Sequence, residues 1–331
     1  MRSAGAVGRP MRAWCGQQPT GTGMNRWIET LGAPATAQIR RWVLTAFPRV
    51  HTGIDYDLPP GDPGLFGPDS VTWRIHADFP GMLSGGLCAL MLQTLHPLAL
   101  AGVWDHSNFR DDLVGRLRRT TSFVAGTTFA GRAQAEQLIA RVARIHREVH
   151  GLGPDGRAYS ADDPDLLTWV HVTEAFGFLH GYRRYCRRVP VAIADRYYDE
   201  TRRVAELLGA RAVPSSEAEV AAYFRHVRGE LRFDARSREV LDVLERLRLP
   251  VPMAGASREL FLGAGAALLP EWALRMLGRP PLRRLRDRAA AGALRSTAPL
   301  FRAALTDGVA ARACERVGMP MARLRQWPPS A

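Results

Sequence analysis

Hydrophobic positions along this chain recur every three to four residues, the period of a helix that buries one face. Alternating β-branched runs bounded by turns, which mark strands, are almost absent. The pattern therefore predicts an all-α protein built as a single large helical domain. The predicted helices cover residues 24–46, 82–104, 111–129, 132–150, 163–186, 190–209, 216–230, 234–248, 256–276 and 280–305.

The two ends of the chain lack this period. Residues 1–24 are rich in Gly, Arg and small polar residues and have no continuous apolar core of a secretory signal, so they are predicted to be a disordered extension. The domain is predicted over residues 25–326 and a tail over 327–331. Residues 58–69 (LPPGDPGLFGPD) are rich in proline and glycine, which predicts an ordered loop or a linker.

Two segments are apolar enough to raise the question of a membrane span. Leu83–Trp104 contains Gln93 and His96, and Leu260–Leu277 contains Glu271, all of which are costly in lipid. Helices that are hydrophobic nearly all round also occur at the centre of large helical domains. We therefore expect buried core helices in a cytoplasmic protein, with loose peripheral membrane association left open.

Composition narrows the class of protein. The chain has 331 residues, of which 46% are hydrophobic and 23% charged, as in ordinary globular proteins. Its four cysteines form no CxxC pair, which argues against a zinc ribbon, a thioredoxin-type site and c-type haem. So few scattered cysteines favour a reducing, intracellular compartment.

The formal net charge of +13 raises the alternative of an arginine-rich helical nucleic-acid-binding protein. All 45 basic residues are arginine and none is lysine, which is typical of a high-GC coding bias. The arginines are also spread along most of the chain instead of forming one block. We therefore expect no nucleic-acid partner.

Candidate chemistry concentrates in the helix predicted over residues 111–129. On a helical wheel, Arg116 and Thr120 project within the apolar arc, Arg119 lies at its rim and Arg118 points away. An arginine inside an apolar stripe needs a partner, because burying an unpaired charge is very costly. Arg116 is therefore either half of a structural ion pair or part of a site. The apolar arc consists of Leu113, Leu117, Phe123 and Val124.

The next predicted helix carries two histidines four residues apart. His146 lies on the flank of the apolar stripe, and His150 lies one turn further on, closer to the polar side. Each is either a hydrogen-bonded structural histidine or a ligand. Since consecutive helices commonly pack antiparallel across a short loop, Arg116, Thr120 and His146 are expected near one cavity. The stripe consists of Leu138, Val142, Ile145 and Val149.

The remaining histidines give weaker signals. His96 precedes Pro97 in an apolar segment, which predicts a buried ring with a hydrogen-bonded role or, alternatively, a role as a ligand. His171 has a possible supporting role beside a cofactor, whereas His51, His76 and His226 are expected in loops or at the surface. The sequence contains no GxSxG elbow, no GxGxxG that follows a predicted strand, no Walker A loop and no paired Glu-x-x-His motifs.

Five blocks, in the right order, resemble the MpaB/latex-clearing-protein oxygenase family. The resemblance extends from about residue 58 to about residue 305 and is closer to the short bacterial members than to the rubber-cleaving type. The blocks are DPGLFGPDSVTWRIHADFP, GGLCALMLQTLHPLALAGVWDHSNFRDDLVGRLRRT, IHREVHG, GRAYSADDPDLLTWVHVTEAF and ALLPEWAL.

The resemblance implies an all-helical fold with a buried cavity for haem b, whose iron is held by one proximal histidine. The characterised members use dioxygen, and rubber oxygenases cleave a carbon–carbon double bond in polyisoprene, while a fungal relative cleaves a farnesyl-type side chain. The family's distal Arg-x-x-(basic)-Thr arrangement corresponds to Arg116, Arg119 and Thr120. The rubber-cleaving type has lysine where this chain has Arg119.

The resemblance also places the proximal histidine within IHREVHG. The H-x-x-V-x-G pattern and the helical wheel favour His146, whereas ungapped spacing from the distal residues favours His150. Arg116 has two possible roles, as a catalytic group or as a partner of the haem propionates. His96 and His171 complete the expected cofactor contacts.

The leading hypothesis is a haem b-dependent oxygenase that acts with dioxygen on a hydrophobic substrate, isoprenoid or lipid-like. A non-catalytic haem carrier or sensor is the alternative from a different class of function.

Overall fold

The computed structural model describes residues 22–46, 53–247 and 254–328. Within these ranges the chain forms fourteen α-helices, one short 3₁₀ helix and one two-stranded antiparallel sheet. The elements are α1 (Thr22–Ala46), α2 (Val71–His76), α3 (Phe79–Gln93), α4 (Pro97–His106), α5 (Leu113–Phe129), α6 (Arg132–Glu148), β1 (His150–Leu152), β2 (Ala158–Ser160), α7 (Pro164–Tyr185), α8 (Val191–Leu208), α9 (Glu217–Val227), α10 (Ala235–Arg246), α11 (Ala254–Ala266), α12 (Glu271–Met276), α13 (Pro281–Ala304), α14 (Val309–Arg316) and the 3₁₀ helix Met321–Arg325.

The predicted all-α class is confirmed, but two predicted helices are each divided. The segment 82–104 forms α3 and α4, which meet at His96 and Pro97. Pro97 has no amide hydrogen to continue a helix and is well suited to the first helical position. His96 is the N-cap, and its Nδ1 accepts from the Ala99 amide at 3.4 Å. The segment 256–276 is divided in the same way, with Pro270 as the N-cap of α12.

The sequence pattern missed the shortest elements. The helices α2 and α14 and the 3₁₀ helix have too few residues to establish a hydrophobic period. The hairpin of β1 and β2 was also missed, and the helix predicted to reach residue 150 ends at Glu148. His150 therefore lies in a strand, opposite Ser160.

The predicted extension at residues 1–24 lies outside the described residues except for its last three, which begin α1. Of the predicted tail, Trp327 packs back onto the domain. Its ring centroid lies 5.7 Å from that of Tyr182, and the Arg187 guanidinium lies 3.8 Å from it.

The helices α3 and α7 form the centre of the core. Both carry glycines four residues apart, which let the two backbones touch. A Cβ at Gly85 would lie 2.4 Å from the Gly177 carbonyl oxygen, and one at Gly181 would lie 2.2 Å from the Gly81 oxygen. No side chain larger than hydrogen fits at this crossing.

Among the described residues, no single helix is both long enough and apolar enough to span a bilayer. The pair α3 and α4 reaches that length together but is bent by 103° between its two parts.

Buried arginines fix the segments between helices. The Arg316 guanidinium donates to the carbonyl oxygens of Tyr56, Asp62 and Phe129 at 2.7–2.8 Å. Arg74 likewise donates to the carbonyls of Pro68, Ser70 and Gln326. Residues 58–69 are consequently an ordered loop held against the helices.

Candidate active site

A cavity of about 280 Å³ lies between α3 and α5 and is closed on one side by the last turn of α1. Its wall is mostly apolar because α3 is hydrophobic on nearly every face and covers both α7 and the cavity. The volume is close to the lower end of ordinary small-molecule pockets, about 300–1,000 Å³. The apolar lining includes Val43, Leu44, Phe79, Met82, Leu83, Leu87, Leu90, Leu117, Val124, Phe129, Phe178, Leu305 and Val309.

The inner end of the cavity, defined by His76, Gln93 and Glu174, is polar. His76 is the last residue of α2. The first turn of this helix is fixed by Glu200, whose carboxylate accepts hydrogen bonds from the Val71 and Thr72 amides. Both ring nitrogens of His76 have partners in the interior.

The His76 partners are the Thr128 hydroxyl, 2.8 Å from Nδ1, and the Tyr197 hydroxyl, 2.9 Å from Nε2. Burial lowers the pKa of His76 to about 3, so the ring is neutral at physiological pH. The prediction that His76 lies in a loop or at the surface is wrong, because the short helix α2 carries no readable period and its burial is tertiary.

Glu174 is the second polar group of the inner end. It lines the main cavity and also a neighbouring cavity of about 40 Å³, which His76 and Phe178 share. Burial raises the pKa of the Glu174 carboxyl to about 7, although a hydrogen bond from Gln93 favours its charged form. Sequence reasoning missed Glu174; its only signal was an acidic residue in the middle of an otherwise buried helix.

The outer end of the cavity is defined by Arg118, Thr120 and Thr121. Thr120 and Thr121 are exposed, so the cavity opens to the surface beside them. Arg118 was predicted to point away from the apolar arc, and that prediction is wrong. Its guanidinium donates to the carbonyls of Ala46 at 2.7 Å and Thr45 at 3.0 Å, which ties the end of α1 over the cavity.

The three residues of the predicted distal group differ in their surroundings. Thr120 lines the cavity, and its hydroxyl donates to the Arg116 carbonyl at 3.2 Å. Arg116 is largely buried, and burial together with the neighbouring Arg119 charge lowers its pKa. Arg119 is exposed and lies 3.6 Å from the Asp112 carboxylate. Neither arginine is among the residues that line the cavity.

Arg116 and His146 lie at a similar level of the α5–α6 hairpin. Arg116 is thirteen residues before Phe129, the end of α5, and His146 is fourteen residues after Arg132, the start of α6. Among the described residues, Arg116 has no ion pair with a carboxylate. Arg116, Thr120 and His146 were expected to line one cavity. Of the three, only Thr120 lines the main cavity.

The two candidate iron ligands differ sharply. The Nδ1 atom of His146 is buried and has no hydrogen-bond partner in the part of the chain that the structure describes. Burial lowers the pKa of the ring, although the Asp162 charge opposes this effect. His150 is exposed in β1, and its backbone carbonyl accepts from His106 Nε2 at 3.2 Å.

The α6 stripe is also less buried than its pattern suggests. Ile145 was expected in the core, yet it is 49% exposed beside His146.

The two further histidines of the predicted cofactor set lie in the interior, away from the main cavity's lining. His96 caps α4, its Nε2 lies 3.8 Å from the Glu230 carboxylate, and it tilts against Trp169. His171 lines the smaller cavity; its Nε2 is buried without a partner, and burial lowers its pKa to about 4.

Metal ligation by protein alone has no support among the described residues, which contain no group of three or more His, Cys, Asp or Glu positioned to hold an ion. A haem iron requires only one axial side chain from the protein. A single buried histidine such as His146 is therefore compatible with a haem ligand.

Comparison with known proteins identifies the family. No curated protein and no solved structure matches the chain. The family model described as ER-bound oxygenase mpaB/B'/Rubber oxygenase, catalytic domain, matches residues 73–303, a range that runs from within α2 to the last turn of α13. Since the match covers more than half of the sequence, the chain belongs to the mpaB/rubber oxygenase catalytic-domain family, a family of oxygenases.

Proposed function

We propose that this chain is a haem b-dependent oxygenase that acts with dioxygen on a hydrophobic, isoprenoid or lipid-like substrate. The observation that carries the proposal is the buried, unpartnered Nδ1 of His146 on the helix that follows α5. A buried polar atom without a partner is unusual and calls for an explanation by function.

His146 has the properties that an iron ligand needs. Its lowered pKa keeps the ring neutral at pH 7, and only a neutral imidazole has a lone pair to give to a metal. Its exposed neighbour Ile145 supplies apolar surface of the kind that covers a porphyrin face. His150 offers no burial, because its side chain is exposed in β1.

Arg116 fits the role of a partner for the haem propionates. It is largely buried, has a cationic neighbour in Arg119, and has no carboxylate partner among the described residues. Such an arginine is stabilised when an anion binds, and a guanidinium pairs with a carboxylate through two parallel hydrogen bonds. We assign Arg116 this role in preference to a catalytic one.

A haem held by one histidine supplies the activation of dioxygen. The protein's own contribution is the cavity, which holds an apolar molecule and excludes water, and Thr120, whose hydroxyl stands at its outer end. Arg119 extends the positive charge of this end of α5. Thr120 and the apolar lining bind and orient the substrate along α5, the helix that also carries Arg116.

The first test is the absorption spectrum of protein expressed with ample haem. We expect a Soret band in the wild type, its loss in His146→Ala, and its retention in the matched control His150→Ala. Loss in His150→Ala alone would reverse the ligand assignment and keep the class of cofactor. Absence of haem from wild-type protein would overturn the proposal.

The second test separates an oxygenase from a haem carrier or sensor. Oxygen consumption is followed while isoprenoid and polyunsaturated compounds are added to the haem-loaded protein. We expect uptake that depends on the added compound and falls in Thr120→Val. A normal haem spectrum with no oxygen uptake for every compound would favour the carrier.

A further inference from the structure

The inner end of the main cavity carries chemistry that the proposed function does not use. A purely apolar substrate needs no polar group at the far end of its site, and burying one is costly. Yet Glu174 projects a carboxyl there, beside Gln93, at the bottom of a wall that is otherwise nearly all apolar. Its surroundings show which groups are free to meet a ligand.

His76 is already engaged, since both of its ring nitrogens bond to the hydroxyls of Thr128 and Tyr197. The Gln93 amide is held by α7, where Nε2 donates to the Thr173 hydroxyl at 3.1 Å. Glu174 accepts from Gln93 and, when ionised, keeps further acceptor positions for a ligand, because a carboxylate has about four.

We propose that the cavity takes an elongated apolar molecule whose leading end carries a hydroxyl group, and that Glu174 is the residue that binds this hydroxyl. This inference names the substrate class of the proposed oxygenase. The claim that the molecule is a substrate rests on the proposed function, whereas the claim that it binds rests on the cavity alone. The chain of such a molecule lies along α3 and α5 toward the outer end.

The charges of the cavity favour a hydroxyl over a carboxylate. Among the described residues that line the cavity, Arg118 is the one arginine, and it lies at the outer end with carbonyl partners. A carboxylate at the inner end would meet Glu174 with no cation among the described residues that line that end. An ammonium group would have to lose its hydration in a buried ion pair, which often costs more than the attraction returns.

Among the described residues at the inner end, Glu174 is the group that changes charge near neutral pH. His76 on α2 and His171 on α7 have pKa values lowered to about 3 and about 4, so both are neutral above pH 5.5. Burial raises the pKa of Tyr197 on α8 well above its usual value, and Gln93 on α3 does not titrate. The residues of α5 that face this end, Val124, Thr127 and Thr128, carry no charge.

This arrangement predicts different pH responses for two kinds of probe. A hydroxyl can accept from a protonated carboxyl or donate to a carboxylate, so an alcohol is bound in both states of Glu174. An ether can only accept, so it needs the protonated carboxyl. Affinity for the ether should fall as pH rises through about 7, whereas affinity for the alcohol should not.

The experiment is calorimetric titration of the purified full-length protein, as isolated, with 1-decanol, decyl methyl ether, decylamine and decanoate at pH 5.5 and pH 8.5. We expect 1-decanol to bind at least ten-fold more tightly than the ether at pH 8.5, with a much smaller gap at pH 5.5. The proposal would be overturned if decanoate or decylamine bound more tightly than 1-decanol, or if 1-decanol did not bind.

Three variants test whether the preference for alcohol over ether comes from Glu174. Glu174→Leu should reduce the preference for alcohol over ether to under three-fold at both pH values, and Glu174→Gln should remove its pH dependence. Asp165→Asn, an exposed carboxyl on the same helix, should behave as the wild type. An unchanged preference in a folded Glu174→Leu protein would contradict the assignment.

Failure of this inference and failure of the proposed function are distinguishable. The absorption spectrum reports haem, whereas the titration reports the cavity and needs no turnover. A chain that binds 1-decanol but no haem would retain the ligand site and lose the oxygenase. A chain that binds haem but shows no alcohol preference would do the reverse.

Discussion

Single residues set the chemical character of the site, and the sequence revealed them unevenly. Arg116 and His146 were visible because Arg116 lies within an apolar stripe and His146 lies on the flank of another, which are local patterns. His76 and Glu174 were not, since their burial depends on Tyr197, Thr128 and other partners far away in the chain. Desolvation is a tertiary property, and it is what shifts their pKa values.

Glu174 should make stability fall as pH rises. Its pKa is raised from 4.5 to about 7 in the folded protein, so the folded state binds more protons than the unfolded state between these values. The free energy of unfolding should therefore decrease from about pH 4.5 to about pH 7, by up to about 3 kcal/mol, relative to Glu174→Gln. Urea unfolding of both proteins across this range measures the difference.

The comparison with Glu174→Gln is needed because His76 and His171 act in the opposite direction. Their pKa values are lowered on folding, so their contribution is present above about pH 6.5 and is lost as pH falls toward about 4 and about 3. Both proteins share that contribution, and it cancels in the difference. Parallel pH profiles for the two proteins would refute the assignment of the Glu174 pKa.

Arg316 shows why arginine at a buried position is not interchangeable with lysine. Its planar guanidinium reaches three carbonyls from separate segments, which a single ammonium group cannot do. Arg316→Lys should lower the free energy of unfolding by about 2 kcal/mol, because buried carbonyls lose their donors.

The control for Arg316 is Arg312→Lys on the same helix. Arg312 is half-exposed and pairs with Asp57 at the surface, so this exchange should change stability by less than about 0.5 kcal/mol. Chemical denaturation measures the free energy of unfolding of both variants. An equal decrease in the two variants would contradict the special role of Arg316.

At the scale of elements, helical periodicity located the long helices within a few residues but failed where proline or brevity intervened. Pro97 and Pro270 turn two apolar runs into pairs of helices, and α2 and α14 are too short to show a period. The contact between α3 and α7 was also beyond reach. Its glycines are visible in the sequence, but which helices they bring together is settled only in three dimensions.

Gly85→Ala should weaken the α3–α7 contact. The new methyl group would lie 2.4 Å from the Gly177 carbonyl oxygen, which belongs to a buried backbone that cannot move aside cheaply. We expect the free energy of unfolding to fall by about 3 kcal/mol, as overpacking of cores does. Thermal and urea unfolding measure this loss.

Gly292→Ala on α13 is the matched control for that substitution. A Cβ there meets nothing within 4 Å, so only helix propensity changes. Stability should rise, by up to about 1 kcal/mol. A destabilised Gly292→Ala protein, or an unaffected Gly85→Ala protein, would show that close backbone contact is not the reason for glycine at these positions.

At the scale of the whole molecule, α1 completes the cavity, although it precedes the range matched by the family model. Val43 and Leu44 form part of the wall, Arg40 pairs with Asp307, and Arg118 holds the last carbonyls of the helix. The sequence predicted α1 as a helix but gave no sign that it covers the site. The amphipathic sequence of α1 predicts that one face of the helix packs against the protein, but it does not indicate which part of the protein that face contacts.

Removal of residues 1–52 should therefore expose the cavity. Losing the partly buried Val43 and Leu44 side chains alone removes about 2 kcal/mol of apolar burial. We expect a lower melting temperature, increased binding of a hydrophobic dye, and loss of 1-decanol binding. A chain lacking only residues 1–21, which keeps α1, is the control and should match the full-length protein. Equal behaviour of both truncations would contradict the role of α1 as a wall.

The attachment of α1 through Arg118 has a practical consequence for protein engineering. The helix contributes its last turn to the rim of the cavity, while the acid that binds the substrate's end projects from α7. Libraries randomised at Val43 and Leu44 can therefore widen or narrow access, and so change substrate scope, without altering the chemistry that selects the leading group. Directed evolution of this scaffold has two separable targets, one for size and one for functional-group preference.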